Sequence, residues 1–104
     1  MALVYEAKLY IANLGDCRAL LISCDDVIQL SKDHKPEEKG EKVRIIQHGG
    51  KLIKEESFRR NSKIKVFNQT RIMPGSLNVS RTIGDIEVKL RKYGGSPGII
   101  LAEP

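Results

Sequence analysis

Short apolar runs separated by turn residues dominate the first thirty positions of the chain. Two such runs, Leu3–Tyr5 and Leu9–Ala12, flank a short polar turn, and two more, Arg18–Ser23 and Val27–Leu30, flank a pair of aspartates. Apolar runs of this length, bounded by turn-forming residues, are typical of β-strands. We therefore predict that this part of the chain forms an antiparallel meander.

The hydrophobic period then changes to that of a helix, predicted over about Pro36–His48. Proline suits the first turn of a helix, because the N–H groups of that turn have no partner within the helix and proline lacks an N–H group. Val43 and Ile46 fall on one face, and Gly49 supplies the left-handed residue that ends many helices. Gly40 lies inside the span and costs about 1 kcal/mol relative to alanine, so we expect the regular helix to begin near it.

The second half of the sequence returns to strands. Lys51–Ile53 is a predicted strand, Glu55–Ser62 a polar loop, and Lys63–Phe67 a half-exposed strand in which charged and apolar residues alternate. Met73–Ser76 is a predicted turn, and Leu77–Asp85 an alternating strand that runs into a Gly-Asp turn. A glycine-rich loop then leads to a last short strand. The predicted class is α+β: an antiparallel, strand-rich unit with one flanking helix.

Composition places the chain among ordinary globular proteins. It has 104 residues, of which 40% are hydrophobic and 30% charged, and it contains no tryptophan. This length suits one small domain with a core of isoleucine, leucine and valine. No apolar run is long enough for a membrane span, and the first residues do not resemble a signal peptide. We therefore expect an intracellular protein, cytoplasmic or nuclear, with no membrane partner and with Cys17 and Cys24 as free thiols.

The net charge of +5 is concentrated between Lys51 and Arg71. A basic stretch of this kind attracts nucleic acid or phosphorylated partners. Lysines on a solvated loop or an edge strand explain it equally well, because they block edge-to-edge pairing. The segment has few aromatic residues and no nucleic-acid-binding motif, so we expect no nucleic-acid partner.

Two apolar segments end in a Gly-Asp pair and present Asp16 and Asp85. Carboxylates at the rim of a sheet are a common way to bind a hard divalent cation. Glycine and aspartate are also favoured turn residues, so two ordinary turns explain the same pattern. Spacing alone favours the ordinary turns.

The order of several motifs resembles the metal-dependent protein serine/threonine phosphatases of the PPM family, type 2C. The LYIANLGDCRA segment resembles the family's LYVANVGDSRA, and PGSLNVSRTIGD resembles PGRLSVSRTIGD. The corresponding segments in this chain are Leu9–Ala19, Asp33–Pro36 (DHKP), Glu41–Gly50 (E..RI...GG), Pro74–Asp85, Gly94–Pro97 and Ala102–Pro104. Each element is weak alone, but the ordered set covers nearly the whole chain.

This resemblance implies a sandwich of two antiparallel sheets flanked by helices, with a dinuclear Mg²⁺ or Mn²⁺ centre. In that family a metal-activated water hydrolyses phosphoserine or phosphothreonine of protein substrates. Asp16 matches the aspartate of the GDSR motif, which is associated with an additional, weaker metal site. Asp85 matches the aspartate of SRTIGD (Ser80–Asp85), for which the resemblance implies only structural or outer-shell support. Cys17 stands where the family usually has serine.

The family's other metal-binding motifs, DGHGG and the later DG and DN, do not occur in these 104 residues. We therefore expect residues 1–104 to be a partial, central portion of a PPM-type domain, with no catalytic residue of its own and weak or no metal binding. The isolated chain is expected to have no phosphatase activity, and self-association through uncovered sheet surface is expected. The alternative is a non-catalytic, pseudophosphatase-like interaction module.

Overall fold

The computed structural model describes the backbone of residues 1–58 and 65–104. Side chains are described for residues 1–56 and 69–104. Most elements are antiparallel strands in small sheets, with one main helix, which confirms the predicted α+β class. In chain order they are β1 (Ala2–Tyr5), β2 (Lys8–Ile11), β3 (Leu20–Ile22), β4 (Val27–Gln29), α1 (Lys39–Gln47), β5 (Lys51–Phe58), β6 (Lys65–Met73), α2 (Ile86–Lys89) and a 3₁₀ turn (Arg91–Tyr93).

The first four strands form two separate hairpins. Strand β1 pairs with β2, and β3 pairs with β4, each as a two-stranded antiparallel sheet. The predicted continuous meander is therefore wrong within the described residues. The segment between the hairpins turns away at Gly15, whose φ of 87° suits glycine. The Gly15 carbonyl accepts a hydrogen bond from the His34 N–H, and the Gly15 N–H donates to the His34 imidazole, so neither group pairs with a strand.

Helix α1 begins at Lys39, next to Gly40 as expected, and Gly49 follows it with a φ of 86°. The buried helix residues are Glu41 and Ile45, whereas Val43 and Ile46 are about half exposed. The prediction that placed Val43 and Ile46 on the apolar face therefore missed the buried side of this helix. Ile45 takes the core position because it packs in the same cluster as the buried residues of the C-terminal region.

The third hairpin is longer than predicted. Strand β5 runs from Lys51 to Phe58 and pairs with β6 from Lys51↔Met73 to Phe58↔Lys65. The predicted loop at Glu55–Ser62 is thus wrong for its first four residues, where cross-strand pairing overrides their polar character. The rest of that loop and the start of the predicted strand at Lys63 lie outside the described residues.

The segment Leu77–Asp85 does not form the predicted strand. It makes two isolated bridges, Ile72↔Leu77 and Arg81↔Leu101, and the second also replaces the predicted last strand. Its backbone hydrogen bonds go to several separate segments rather than to one neighbour, so no ladder develops. The short helix α2 after Asp85 and the following 3₁₀ turn were not predicted, since four and three residues are too few to show a helical period.

The core is small and lies between α1, the base of the third hairpin and the C-terminal region. Its buried members are Ile45, Ile72, Val88, Ile99 and Ile100, with Leu52 and Leu77 packed against them. The first two hairpins lie outside this core, and their apolar side chains are mostly exposed. Among the residues described, no helix has the length and apolar character needed to cross a bilayer.

Candidate functional site

Asp16 follows the left-handed Gly15, and its carboxylate forms an ion pair with the Lys35 ammonium group. The two side chains are about 42% and 35% exposed, respectively. Cys17, the next residue, is a free and exposed thiol, and Cys24 is also free and exposed. The Gly-Asp turn thus presents its carboxylate near the surface, where its first partner is a lysine from the DHKP segment.

His34 joins the two segments that carry the Gly-Asp pairs. Its backbone N–H donates to the Gly15 carbonyl at 2.8 Å, and the Ser80 N–H donates to the His34 carbonyl at 2.9 Å. The Gly15 N–H also donates to His34 Nδ1 at 3.2 Å. Burial lowers the pKa of the His34 imidazole, in keeping with an acceptor role for its Nδ1 atom. The structure therefore brings together motifs that lie 19 or more residues apart along the chain.

A bidentate pair strengthens the same junction. Arg18 donates from Nε and Nη2 to the two carboxylate oxygens of Asp33, at 3.1 and 2.7 Å. The hydrogen bond from Arg18 lowers the pKa of the Asp33 carboxyl. Asp33 is consequently engaged in binding Arg18 and lies beside His34 as a structural partner of the turn.

Asp85 lies at the start of α2 in the left-handed conformation, with a φ of 47° and a ψ of 45°. Its carbonyl accepts a hydrogen bond from the Val88 N–H at 3.1 Å, while its side chain makes no capping hydrogen bond. No described contact joins Asp85 to Asp16. The two segments that carry these aspartates meet at His34, but the two carboxylates are not in contact with each other.

These residues do not fit a metal centre by themselves. Within residues 1–58 and 65–104, no group of three or more His, Cys, Asp or Glu side chains is arranged to hold a metal ion. A hard cation such as Mg²⁺ or Mn²⁺ needs about six oxygen ligands, and one of the candidate carboxylates is paired with Lys35. The metal roles proposed for Asp16 and Asp85 stay predictions.

A buried carboxylate forms a second cluster that the sequence analysis did not single out as a site. Glu41 is 7% exposed and accepts hydrogen bonds from Arg81 Nη2 at 2.6 Å, Arg44 Nη2 at 2.6 Å and the Ser80 hydroxyl at 2.5 Å. Three donors from α1 and from the SRTIGD segment therefore converge on one side chain. The spacing E-x-x-R on a helix, with a later Ser-Arg pair, was the only available signal.

The two arginines extend the cluster to the C-terminal residues. Arg44 Nη1 donates to the Ile99 carbonyl at 2.8 Å, and Arg81 Nη1 donates to the Glu103 carbonyl at 3.2 Å. Guanidinium groups suit this position because each has five donors in a fixed plane. The cluster thereby fixes α1, the SRTIGD segment and the Ala-Glu-Pro end in one arrangement.

The electrostatics of the cluster favour the ionised carboxylate. Burial by itself raises the pKa of Glu41, but hydrogen bonds from Arg81, Ser80 and Arg44 outweigh it and lower that pKa to about 2. The same pairing raises the pKa of Arg81. Glu41 is therefore a permanently charged structural anchor at neutral pH, with no proton available for acid catalysis.

Sequence comparison explains why these motifs occur in this order. The sequence model of the family described as protein phosphatase 2C matches residues 1–104. Probable protein phosphatase 2C 21 of Arabidopsis thaliana is 37% identical over 93 residues, covering 89% of this chain and 22% of that protein. Probable protein phosphatase 2C 57 of Oryza sativa subsp. japonica is 37% identical over 103 residues, with coverages of 99% and 24%.

Protein phosphatase 2C 1 of Paramecium tetraurelia is similar over the whole chain, at 34% identity over 105 residues, which is 30% of its own length. The chain belongs to the protein phosphatase 2C family. It spans between 22% and 30% of the length of these curated relatives.

Proposed function

We propose that residues 1–104 form the central segment of a Mg²⁺- or Mn²⁺-dependent protein serine/threonine phosphatase domain, acting on phosphoserine and phosphothreonine proteins. The observation that carries this proposal is the junction at His34. There the GDSR-like and SRTIGD segments meet the DHKP segment through backbone hydrogen bonds of 2.8 and 2.9 Å. A junction of this kind positions loops for chemistry that the rest of the domain supplies.

We further propose that the isolated chain has no phosphatase activity. Asp16 is paired with Lys35, and the described residues form no three-ligand cluster. Phosphate ester hydrolysis in water is extremely slow, so a site without its electrophile and nucleophile gives no measurable turnover.

The test is hydrolysis of p-nitrophenyl phosphate by the purified 104-residue chain with and without Mn²⁺. The rate is expected to equal that of a double variant with Asp16→Ala and Asp85→Ala. A manganese-dependent rate clearly above the double variant would show that this chain carries a working centre. The proposal of inactivity would then be wrong.

A non-catalytic interaction module is the second candidate function, favoured by the exposed apolar side chains of the first two hairpins. Such a module has to fold without the rest of a phosphatase domain. A cooperative thermal transition of the chain alone, monitored by near-ultraviolet circular dichroism, supports this candidate. A broad, non-cooperative loss of signal excludes it.

A further inference from the structure

A groove of about 450 Å³ lies between helix α1 and the third hairpin, away from the His34 junction. Its size is that of a site for a small ligand or a few residues of peptide. The lining side chains are Glu37, Lys42, Ile46, Leu52, Lys54 and Thr70. None of these side chains takes part in the clusters around Asp16 or Glu41 described above.

One face of the third hairpin forms the strand side of the groove. Leu52 pairs with Ile72, and Lys54 pairs with Thr70, so these four residues share one face of the sheet. At the first pair the sheet contacts the core, and Ile72 is fully buried there. At the second pair Thr70 is buried as well, whereas the side chain of Lys54 opposite it is exposed. The groove therefore has buried residues at its base and the charged Lys54 at its outer edge.

The charges at this opening are unbalanced. Lys42 lies on the helix side and Lys54 on the strand side, and neither forms an ion pair within the described part of the chain. The natural helical partner of Lys42, Glu38, is paired with Lys32 instead. Among the described side chains of the lining, Glu37 is the single acidic one. Two ammonium groups therefore face one carboxylate across the groove.

The apolar surface between these charges is also incompletely covered. Ile46 is 54% exposed, although it lies on the helix beside the core. Leu52, opposite it in the lining, is only half-buried. The groove therefore presents an exposed isoleucine together with two lysines that form no ion pair among the described residues. A ligand with an apolar side chain between acidic side chains is complementary to this surface.

We propose that this groove binds an acidic peptide segment in which carboxylate side chains flank one apolar side chain. The apolar side chain contacts Ile46 and Leu52, and the carboxylates pair with Lys42 and Lys54. Nucleic acid is a poorer match, because none of the described side chains that line the groove is aromatic and able to stack on a base, and Glu37 repels a phosphate backbone. The proposal is independent of the phosphatase function proposed above.

The test uses the 104-residue chain and a fluorescein-labelled probe peptide of alternating glutamate and leucine, with fluorescence anisotropy as the measurement. The double variant Lys42→Glu, Lys54→Glu is expected to weaken binding by about tenfold or more, because two attractions become repulsions. The variant Ile46→Ser is expected to weaken it by about fivefold through lost apolar contact. Both variants change exposed side chains, so the fold is retained.

The matched control is Lys39→Glu, Lys51→Glu. These lysines lie on the same helix and the same strand, and the charge change is identical, but neither lines the groove. The control is expected to bind the probe within about threefold of the unchanged chain, since only long-range attraction is reduced.

Three results would overturn the proposal. One is equal weakening by both double variants, which indicates attraction by net charge alone. Another is equal binding of a probe with serine in place of leucine, which indicates no apolar contact. The third is the absence of binding to the unchanged chain at low salt.

Discussion

Arg81 Nη2 donates a 2.6 Å hydrogen bond to Glu41 Oε1, across 40 residues of sequence. This bond ties the main helix to the segment that carries the SRTIGD motif. Arg44 reaches the same carboxylate from the next helical turn. The side chains of Glu41, Arg44 and Arg81 are only 10%, 16% and 22% exposed, so their partners in the protein replace most of their contact with water. We therefore expect the stability of the contact between α1 and the SRTIGD segment to depend on this one carboxylate.

Replacing Glu41 by glutamine is expected to destabilise the chain by about 3 kcal/mol, because two largely buried guanidinium groups lose their counter-charge. Urea denaturation at neutral pH measures the change in the free energy of unfolding. Glu38→Gln is the matched control: its pair with Lys32 is exposed, and its loss is expected to cost less than about 1 kcal/mol. Equal effects of the two substitutions would contradict the anchoring role of Glu41.

The low pKa of Glu41 predicts loss of stability in acid. In the unfolded chain this carboxyl titrates near its ordinary value of 4.5, and in the folded chain its pKa is about 2. Between these values the unfolded state binds more protons, so lowering the pH favours unfolding. The stabilisation is complete above about pH 5 and decreases by roughly 2 kcal/mol as the pH falls to about 3.

The measurement is the free energy of unfolding in urea at a series of pH values from 7 to 3. Glu41→Gln removes this titration, so the pH profile of that variant is expected to be flatter than that of the unchanged chain. Parallel profiles would show that other carboxyl groups produce the acid sensitivity.

Two glycines near helix α1 are expected to respond to alanine in opposite directions. A Cβ atom at Gly50 would lie 2.6 Å from Ile45 Cγ2 and 3.0 Å from the Ile45 carbonyl oxygen. Gly50→Ala should therefore destabilise the chain by about 1–3 kcal/mol through overpacking of the core.

Gly40→Ala is the control, because a Cβ atom there meets nothing within 4 Å and Gly40 lies inside the helix. It is expected to stabilise the chain by up to about 1 kcal/mol. Thermal denaturation of both variants measures the difference. A higher melting temperature for Gly50→Ala than for Gly40→Ala would contradict the packing at Ile45.

The exposed hairpins predict self-association of the isolated chain. Ile22 and Val27 lie opposite each other in the second hairpin and are 72% and 64% exposed. Apolar sheet surface of this kind favours contact with another copy. Light scattering during gel filtration is expected to show a mass that rises with concentration.

The double variant Ile22→Lys, Val27→Glu keeps a favourable cross-strand pair and removes the apolar surface. It is expected to shift the chain towards the monomer. A monomeric mass of the unchanged chain at every concentration would contradict this prediction.

The second hairpin could be predicted because Asp25 and Asp26 are strong turn residues. The first could be predicted from its two apolar runs alone, since its turn residues Glu6 and Ala7 are not typical of turns. The segment Leu77–Asp85 could not, since its alternation resembles a strand while its hydrogen bonds go to His34 and Leu101 in separate places. The role of Glu41 also escaped prediction, because a glutamate in the first turn of a helix is ordinarily a solvated residue. Only the fold brings Arg81 to it.

The candidate site shows the same limit. Asp16 and Asp85 could be selected from their Gly-Asp turns, but their surroundings depend on contacts between distant segments. Lys35 follows His34 directly in the sequence, yet nothing in the sequence indicates that its ammonium group pairs with Asp16. The family motifs identified the class of protein, while the hydrogen-bond partners required the structure.

The most direct test of the account places this chain in a whole phosphatase domain. Residues 1–104 replace the matching segment of Protein phosphatase 2C 1 of Paramecium tetraurelia, and Mn²⁺-dependent hydrolysis of p-nitrophenyl phosphate is measured. If residues 1–104 are the central segment of a metal-dependent phosphatase, the chimera retains manganese-dependent activity, and Asp16→Ala lowers that activity. A folded chimera with no activity above a metal-free reaction, beside an active parent protein, would contradict the account.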